Sequence, residues 1–120
     1  MNHGTDLLAA SMPHPLGYRE ATPAQVAAGA RKYRTIDVRE PEEFTGELGH
    51  IEGAELFPLG RIESDARTWP RDETLLMVCR SGGRSGRASA MLTAMGFQNV
   101  INMAGGMLAW NEAKLPIEGR

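Results

Sequence analysis

The amino-acid sequence predicts an α/β domain: a mostly parallel central sheet of about five strands with helices on both faces. Three observations carry that prediction. Short β-rich runs alternate with helical stretches along the chain, the order that a parallel sheet requires. One run, Thr74-Leu75-Leu76-Met77-Val78, is continuously apolar, as in a strand covered on both sides. A glycine-containing loop, Cys79 to Arg84, then leads from this strand into a helical stretch with an apolar stripe.

Residues 1–20 contain Gly4, Pro13, Pro15 and Gly17, lack clean periodicity and read as a flexible N-terminal arm; residues 21–120 form the domain. Thr22 is a good N-cap, Pro23 suits the first helical position and Gln25 can close a capping box, so a short alanine-rich helix runs to about Lys32. Tyr33 to Val38 is β-rich and reads as a strand. A helix restarts at Glu40-Pro41-Glu42-Glu43-Phe44, with carboxylates in the first turn where the helix dipole favours them. Gly46, Gly49 and Gly53 break the pattern around His50-Ile51, and Ala54 to Phe57 is a brief strand. A polar amphipathic helix, Arg61 to Trp69, ends before Pro70.

After the apolar strand and its loop, Ser85 to Met95 aligns Ala88, Met91, Leu92 and Met95 on one helical stripe, and Gly96 closes it. Asn99 to Asn102 is a further strand, Gly105-Gly106 a tight turn and Met107 to Lys114 the last helix. The final Ile117-Glu118-Gly119-Arg120 spells a protease-recognition sequence and is left out of the fold reading.

Composition narrows the function classes. The chain has 120 residues, 42% hydrophobic and 23% charged, enough for one ordinary core. A net charge of −2, from 13 basic and 15 acidic residues, gives no nucleic-acid footprint and no polybasic membrane patch. No apolar run is long enough to span a bilayer, and Met1 to Ser11 lacks the pattern of a signal peptide. The single cysteine, Cys79, excludes an intramolecular disulfide and fits a reducing, cytoplasmic setting. Cys79 with His3, His14 and His50 does not compose a structural zinc set, and neither a metal nor a cofactor is expected.

The chemistry concentrates in Cys79-Arg80-Ser81-Gly82-Gly83-Arg84-Ser85. Sites in open α/β sheets lie at the carboxyl ends of strands. A helix N-terminus offers unpaired N–H groups and the positive end of a dipole, and two glycines let the loop curl so that those groups converge on an anion. Arg80 and Arg84 add two positive charges. A thiol in this place should be acidified into a nucleophilic thiolate. A lone cysteine after an apolar strand is usually a small buried hydrophobe, but core packing has little use for two arginines around a glycine pair.

On these stretches the chain resembles the single-domain rhodaneses, sulfurtransferases of the thiosulfate type. The resemblance runs from about Thr22 to Gly119: Thr35-Ile36-Asp37-Val38-Arg39-Glu40, then Glu43-Phe44 with Gly49-His50-Ile51-Glu52-Gly53-Ala54, then Cys79 to Ser85, then Gly96-Phe97 to Val100 with Gly105-Gly106 and Trp110. It implies a rhodanese-like three-layer fold and a ping-pong reaction. Cys79 would take the outer sulfur of thiosulfate or a persulfide donor, carry it as a persulfide, and pass it to cyanide, a cellular thiol or a partner protein. Loop N–H groups from Arg80 to Arg84 would stabilise the anions, with Arg80 and Arg84 holding the donor; Ser85 is expected to cap the helix, with a hydrogen bond to the sulfur as the lesser reading. A non-catalytic rhodanese-like binding module is the alternative, although such modules often lack the cysteine. A cysteine-based phosphatase fits less well, because four residues rather than five separate Cys79 from Arg84. Asp37 is expected to anchor loop backbone, Arg39 to pair with Glu42 or Glu43, and His50 to sit in a structural turn.

Overall fold

A computed structural model describes residues 6–120; residues 1–5, with His3 and Gly4, lie outside it. The elements run α1 (Leu7–Ala10), β1 (Met12–Pro13), β2 (Arg19–Ala21), α2 (Pro23–Ala28), β3 (Arg34–Asp37), α3 (Pro41–Phe44), β4 (Glu55–Leu56), α4 (Leu59–Asp65), β5 (Thr74–Val78), α5 (Gly83–Ala94), β6 (Asn99–Met103) and α6 (Gly106–Glu112). A turn of 3₁₀ helix, Ala66–Thr68, extends α4. The helix starts follow local chemistry. Thr22 and Gln25 make both bonds of the expected capping box on α2, and Glu40 with Glu43 make the same reciprocal pair on α3.

One six-stranded sheet has the order β1-β2-β6-β5-β3-β4. β1 pairs antiparallel with β2, and every other pairing is parallel. Alternation along the central strand builds the two faces. Leu75, Met77 and Cys79 pack with Ile62, Ala66, Ala88 and Leu92 on the α4–α5 side. Leu76 and Val78 pack with Leu7, Val26, Met107 and Trp110 on the side of α1, α2 and α6. Such a sheet, buried on both faces, is the three-layer arrangement expected of the continuous apolar run. Leu75 and Leu76 are fully enclosed, each contributing about 1.5–3 kcal/mol of transfer free energy.

The structure differs from the sequence reading at both ends of the chain. Residues 6–20, read as a flexible arm, carry α1, β1 and the first two residues of β2. β2 lies parallel to β6, with Arg19 opposite Ile101 and Ala21 opposite Met103, and Leu7 is buried. Two- and three-residue strands are too short to show periodicity, which explains the misreading. The hairpin adds two strands to the four named from the sequence, making six where about five were expected. At the other end Ile117 packs on the core and Glu118 exchanges backbone hydrogen bonds with His50, so the segment set aside joins the fold.

Candidate active site

Cys79 follows the last residue of β5, at the carboxyl ends of the parallel strands, and is buried. The loop after it turns through Gly82, whose φ of +102° lies in the left-handed region that glycine alone adopts without strain. Gly82 is the N-cap residue just before α5, and its N–H donates to Cys79 Sγ at 3.1 Å. The helix therefore begins at Gly83, two residues earlier than the sequence reading placed it.

Ser85 corrects the expectation of a helix cap. Its hydroxyl, fully buried, donates to Cys79 Sγ at 3.3 Å. Burial pushes the thiol pKa up. The Ser85 hydroxyl and the N–H groups of Ser85, Gly82 and Ser81 outweigh burial, and the net shift is downward. Acidification thus comes from directed hydrogen bonds at the start of a helix, the anion nest read from the glycine pair. Removing one donor should reverse part of it. We expect Ser85→Ala to move the thiolate titration, followed by ultraviolet thiolate absorbance of the single cysteine, to higher pH. An unchanged titration would mean that the hydroxyl does not stabilise the thiolate.

Arg84 and Arg80 behave differently. Arg84 donates from both guanidinium ends to Glu43, Nη1 to Oε1 at 2.7 Å and Nη2 to Oε2 at 2.8 Å. Glu43 comes from α3, and Arg84 chiefly holds its carboxyl down at about 2, with the Glu40 N–H assisting. The fork is therefore complete above the ordinary glutamate range near pH 4.5 and is lost as pH falls toward 2. Both side chains are partly exposed, so the pair adds little stability, but it fixes the guanidinium. Arg80 is exposed and has no ion pair among the described residues. Ser81 and Gly83 are also exposed.

Two supports of the loop were not legible as such. α6 abuts the loop backbone: the Met107 N–H donates to Cys79 O at 2.8 Å and the Leu108 N–H to Arg80 O at 2.9 Å. Gly106 permits this approach, with φ +58°; a Cβ there would stand 2.5 Å from Cys79 O. Gly106→Ala should shift the loop, destabilise the protein by roughly 1–3 kcal/mol and slow any chemistry at Cys79, read by urea unfolding and turnover on one sample. Unaltered stability and turnover would show that the approach is not tight. Asn102, buried on β6, donates to Gly82 O at 3.3 Å and to Glu20 Oε2 at 3.0 Å, tying the N-terminal strand to the loop.

Asp37 and Arg39 are buried together. Arg39 donates from Nε to Asp37 Oδ1 at 2.9 Å and from Nη2 to Oδ2 at 2.8 Å, and also to Gly49 O at 2.7 Å. Its partner is thus Asp37 rather than Glu42 or Glu43, while Asp37 does anchor backbone by accepting from the Arg39 N–H. His50 stacks on Phe44 and its Nδ1–H donates to Phe44 O, a role in the turn. Among the described residues no cluster of histidine, cysteine and carboxylate side chains could hold a metal, and no helix is long and apolar enough to cross a membrane.

Comparison with known proteins identifies the family and the fold. The family model of the rhodanese-like domain matches residues 22–113. An uncharacterized protein of Synechocystis sp. is 41% identical over 81 residues, covering 68% of this chain and 44% of that protein. A protein named sulfurtransferase from Allochromatium vinosum is 37% identical over 82 residues, covering 68% of this chain and 75% of its own. The crystal structure of a rhodanese-related protein from Thermoplasma volcanium superposes with a TM-score of 0.78 at 27% identity, covering 86% of this chain and all of that one.

Proposed function

This chain belongs to the rhodanese-like family, and from that premise we propose that it is a sulfurtransferase working through a persulfide on Cys79. The observation that carries the reading is the environment of the sulfur: a lone thiol at a helix start, with hydrogen bonds from Gly82 and Ser85 and a lowered pKa. The relative from Allochromatium vinosum, named a sulfurtransferase, supports the reaction class.

The reaction runs in two halves. The Cys79 thiolate attacks the outer sulfur of a sulfane donor such as thiosulfate, the S–S bond of the donor breaks, and sulfite leaves with the electron pair. Cys79 is left as a persulfide anion, one bond longer than the thiolate. The N–H groups from Ser81 to Ser85 are the donors available to stabilise that charge as it moves outward, in the manner of an oxyanion hole. A thiophilic acceptor, such as cyanide or a thiol, then takes the terminal sulfur and returns the thiolate. The lowered thiol pKa favours the thiolate and lessens the need for a general base. Burial of Cys79 suits this chemistry: a terminal sulfur can enter where a bulky electrophile cannot.

Intact-protein mass tests the reading. Incubation with thiosulfate should add one sulfur atom, and cyanide should remove it with release of thiocyanate. Absence of added sulfur from thiosulfate and from an organic persulfide would overturn the proposal.

A further inference from the structure

We propose that Glu20, on β2, is a positioning residue for the Cys79 sulfur: its carboxylate fixes the Asn102 amide, which holds the Gly82 carbonyl and so keeps the Gly82 N–H on Sγ. Only the rate measurement below rests on the sulfur-transfer reading; the titration reads the placement of that N–H without it.

Strand register brings the parts together. β2 and β6 run parallel with Glu20 opposite Asn102, so both side chains leave the sheet on one face. That face is the one α5 covers. Tyr18, two positions before Glu20, and Val100, two before Asn102, pack in the core with Ala88 and Leu92. The start of α5 comes down close over the pair. Gly86 has no side chain there, and a Cβ would stand 3.4 Å from Tyr18 Oη and 3.5 Å from Asn102 Nδ2.

Asn102 is buried, and its Nδ2 has two acceptors, Glu20 Oε2 at 3.0 Å and Gly82 O at 3.3 Å. Its Oδ1 has no protein partner among the described residues. The nitrogen alone therefore decides how the amide is turned. The carboxylate, a charged acceptor at the shorter distance, is the stronger of its two anchors. Turned the other way, Oδ1 would face two acceptors that repel it. Without Glu20, only the longer bond to Gly82 O opposes that turn.

At Gly82 the contact becomes chemical. Its carbonyl takes the Asn102 bond and one from the Gly86 N–H at 3.0 Å, and its own N–H lies 3.1 Å from Sγ. Glycine rotates freely at its φ of +102°, so fixing the carbonyl restricts where the N–H points. Glu20 precedes residues 22–113, the stretch matched by the family model, so this support comes from the N-terminal segment.

The sign of the change separates positioning from simple charge. A carboxylate acting only through space opposes a thiolate, and its removal would lower the thiol pKa; removing a carboxylate that holds a donor in place raises it. Glu20→Ala should therefore move the thiolate titration, followed by ultraviolet absorbance, to higher pH. Both tyrosines are raised above their ordinary range, chiefly by burial, and stay clear of the thiol. Below the titration midpoint, sulfuration by thiosulfate, read by intact mass, should slow about three- to tenfold, part of the worth of one hydrogen bond to a charged sulfur. A loss of folded protein would instead lower the rate at every pH without moving the midpoint. Glu20→Gln keeps an oxygen acceptor without the charge and should titrate at or below the parent's pH. In Asn102→Ala the link is already cut, so adding Glu20→Ala should bring no further rise. If Glu20→Ala fails to fold, Glu20→Asp decides: it keeps the charge, withdraws the carboxylate from Asn102 by one methylene, and should also raise the titration. A midpoint that stays or falls in the deciding variant, an equal rise in Glu20→Gln, or a further rise on the Asn102→Ala background overturns the proposal. A raised midpoint in a chain that gains no sulfur from any donor overturns the sulfur-transfer reading and leaves the role of Glu20 standing.

Discussion

Cys79→Ser is expected to abolish sulfur acceptance, with turnover reduced at least about a thousandfold and no mass gain after exposure to any sulfane donor. The effect is large because the nucleophile and the carrier are one atom. A serine hydroxyl in the same nest is un-ionised at neutral pH. The imidazole of His50 is committed to the carbonyl of Phe44. The fold should tolerate the change. Cys79 is a small buried side chain, and a hydroxyl can accept from the Gly82 N–H and exchange a bond with Ser85 as the sulfur does. Circular dichroism and the unfolding midpoint should therefore stay close to those of the parent. Persistent turnover in this variant would remove Cys79 from the mechanism.

Asp37→Ala should produce the largest loss of stability, about 3–5 kcal/mol. The carboxylate and Arg39 are each about 1% exposed, and Asp37 takes both parallel bonds of the guanidinium fork. Truncating it leaves a buried cation with only the Gly49 carbonyl. For a domain of this size the change corresponds to a fall in Tm of roughly 10 °C or more. The double variant Asp37→Leu/Arg39→Met separates the pair's net worth from the cost of orphaning one partner. It removes both charges, leaves the Gly49 carbonyl short of one donor, and should be clearly more stable than Asp37→Ala. Urea unfolding of the two variants makes the comparison. A single-variant loss below about 1 kcal/mol would mean that water reaches the guanidinium.

Local signals were legible where the physics is local. Thr22 and Gln25 are three residues apart, and their capping box forms in full. The run Thr74–Val78 matches β5 residue for residue, because its four consecutive apolar positions, Leu75 to Val78, admit few other places in a layered domain. The loop from Cys79 to Ser85 was visible from its composition, and two of its donors, the Gly82 N–H and the Ser85 hydroxyl, reach the sulfur. What spacing could not convey were contacts made by topology. Glu43 and Arg84 are 41 positions apart and meet because α3 and α5 both start at the carboxyl end of the sheet. The hold of Asn102 on Gly82 needs β6 beside β5. Arg39 was assigned to carboxylates downstream, whereas Asp37, two positions before it, is in reach once the strand ends and the chain turns. For Ser85 the sequence offers both a cap and a bond to the sulfur, and the structure shows the lesser of the two, the bond to the sulfur.

The strand order also governs when this protein becomes competent. β2 is laid down near the start of the chain, but its partner β6 comes last among the strands, and Glu20 meets Asn102 across 82 positions. The helix that abuts Cys79 and Arg80 is later still. Closing such distant pairs is entropically slow, so folding belongs to the millisecond-to-second range of non-local topologies. On a ribosome, the loop bearing the thiol emerges well before the residues that brace it. A nascent chain would present Cys79 as an ordinary thiol, without its assembled nest. Its acidity is thus a property acquired only once α6 is in place, and a chain stopped short of α6 should carry the cysteine without the reactivity.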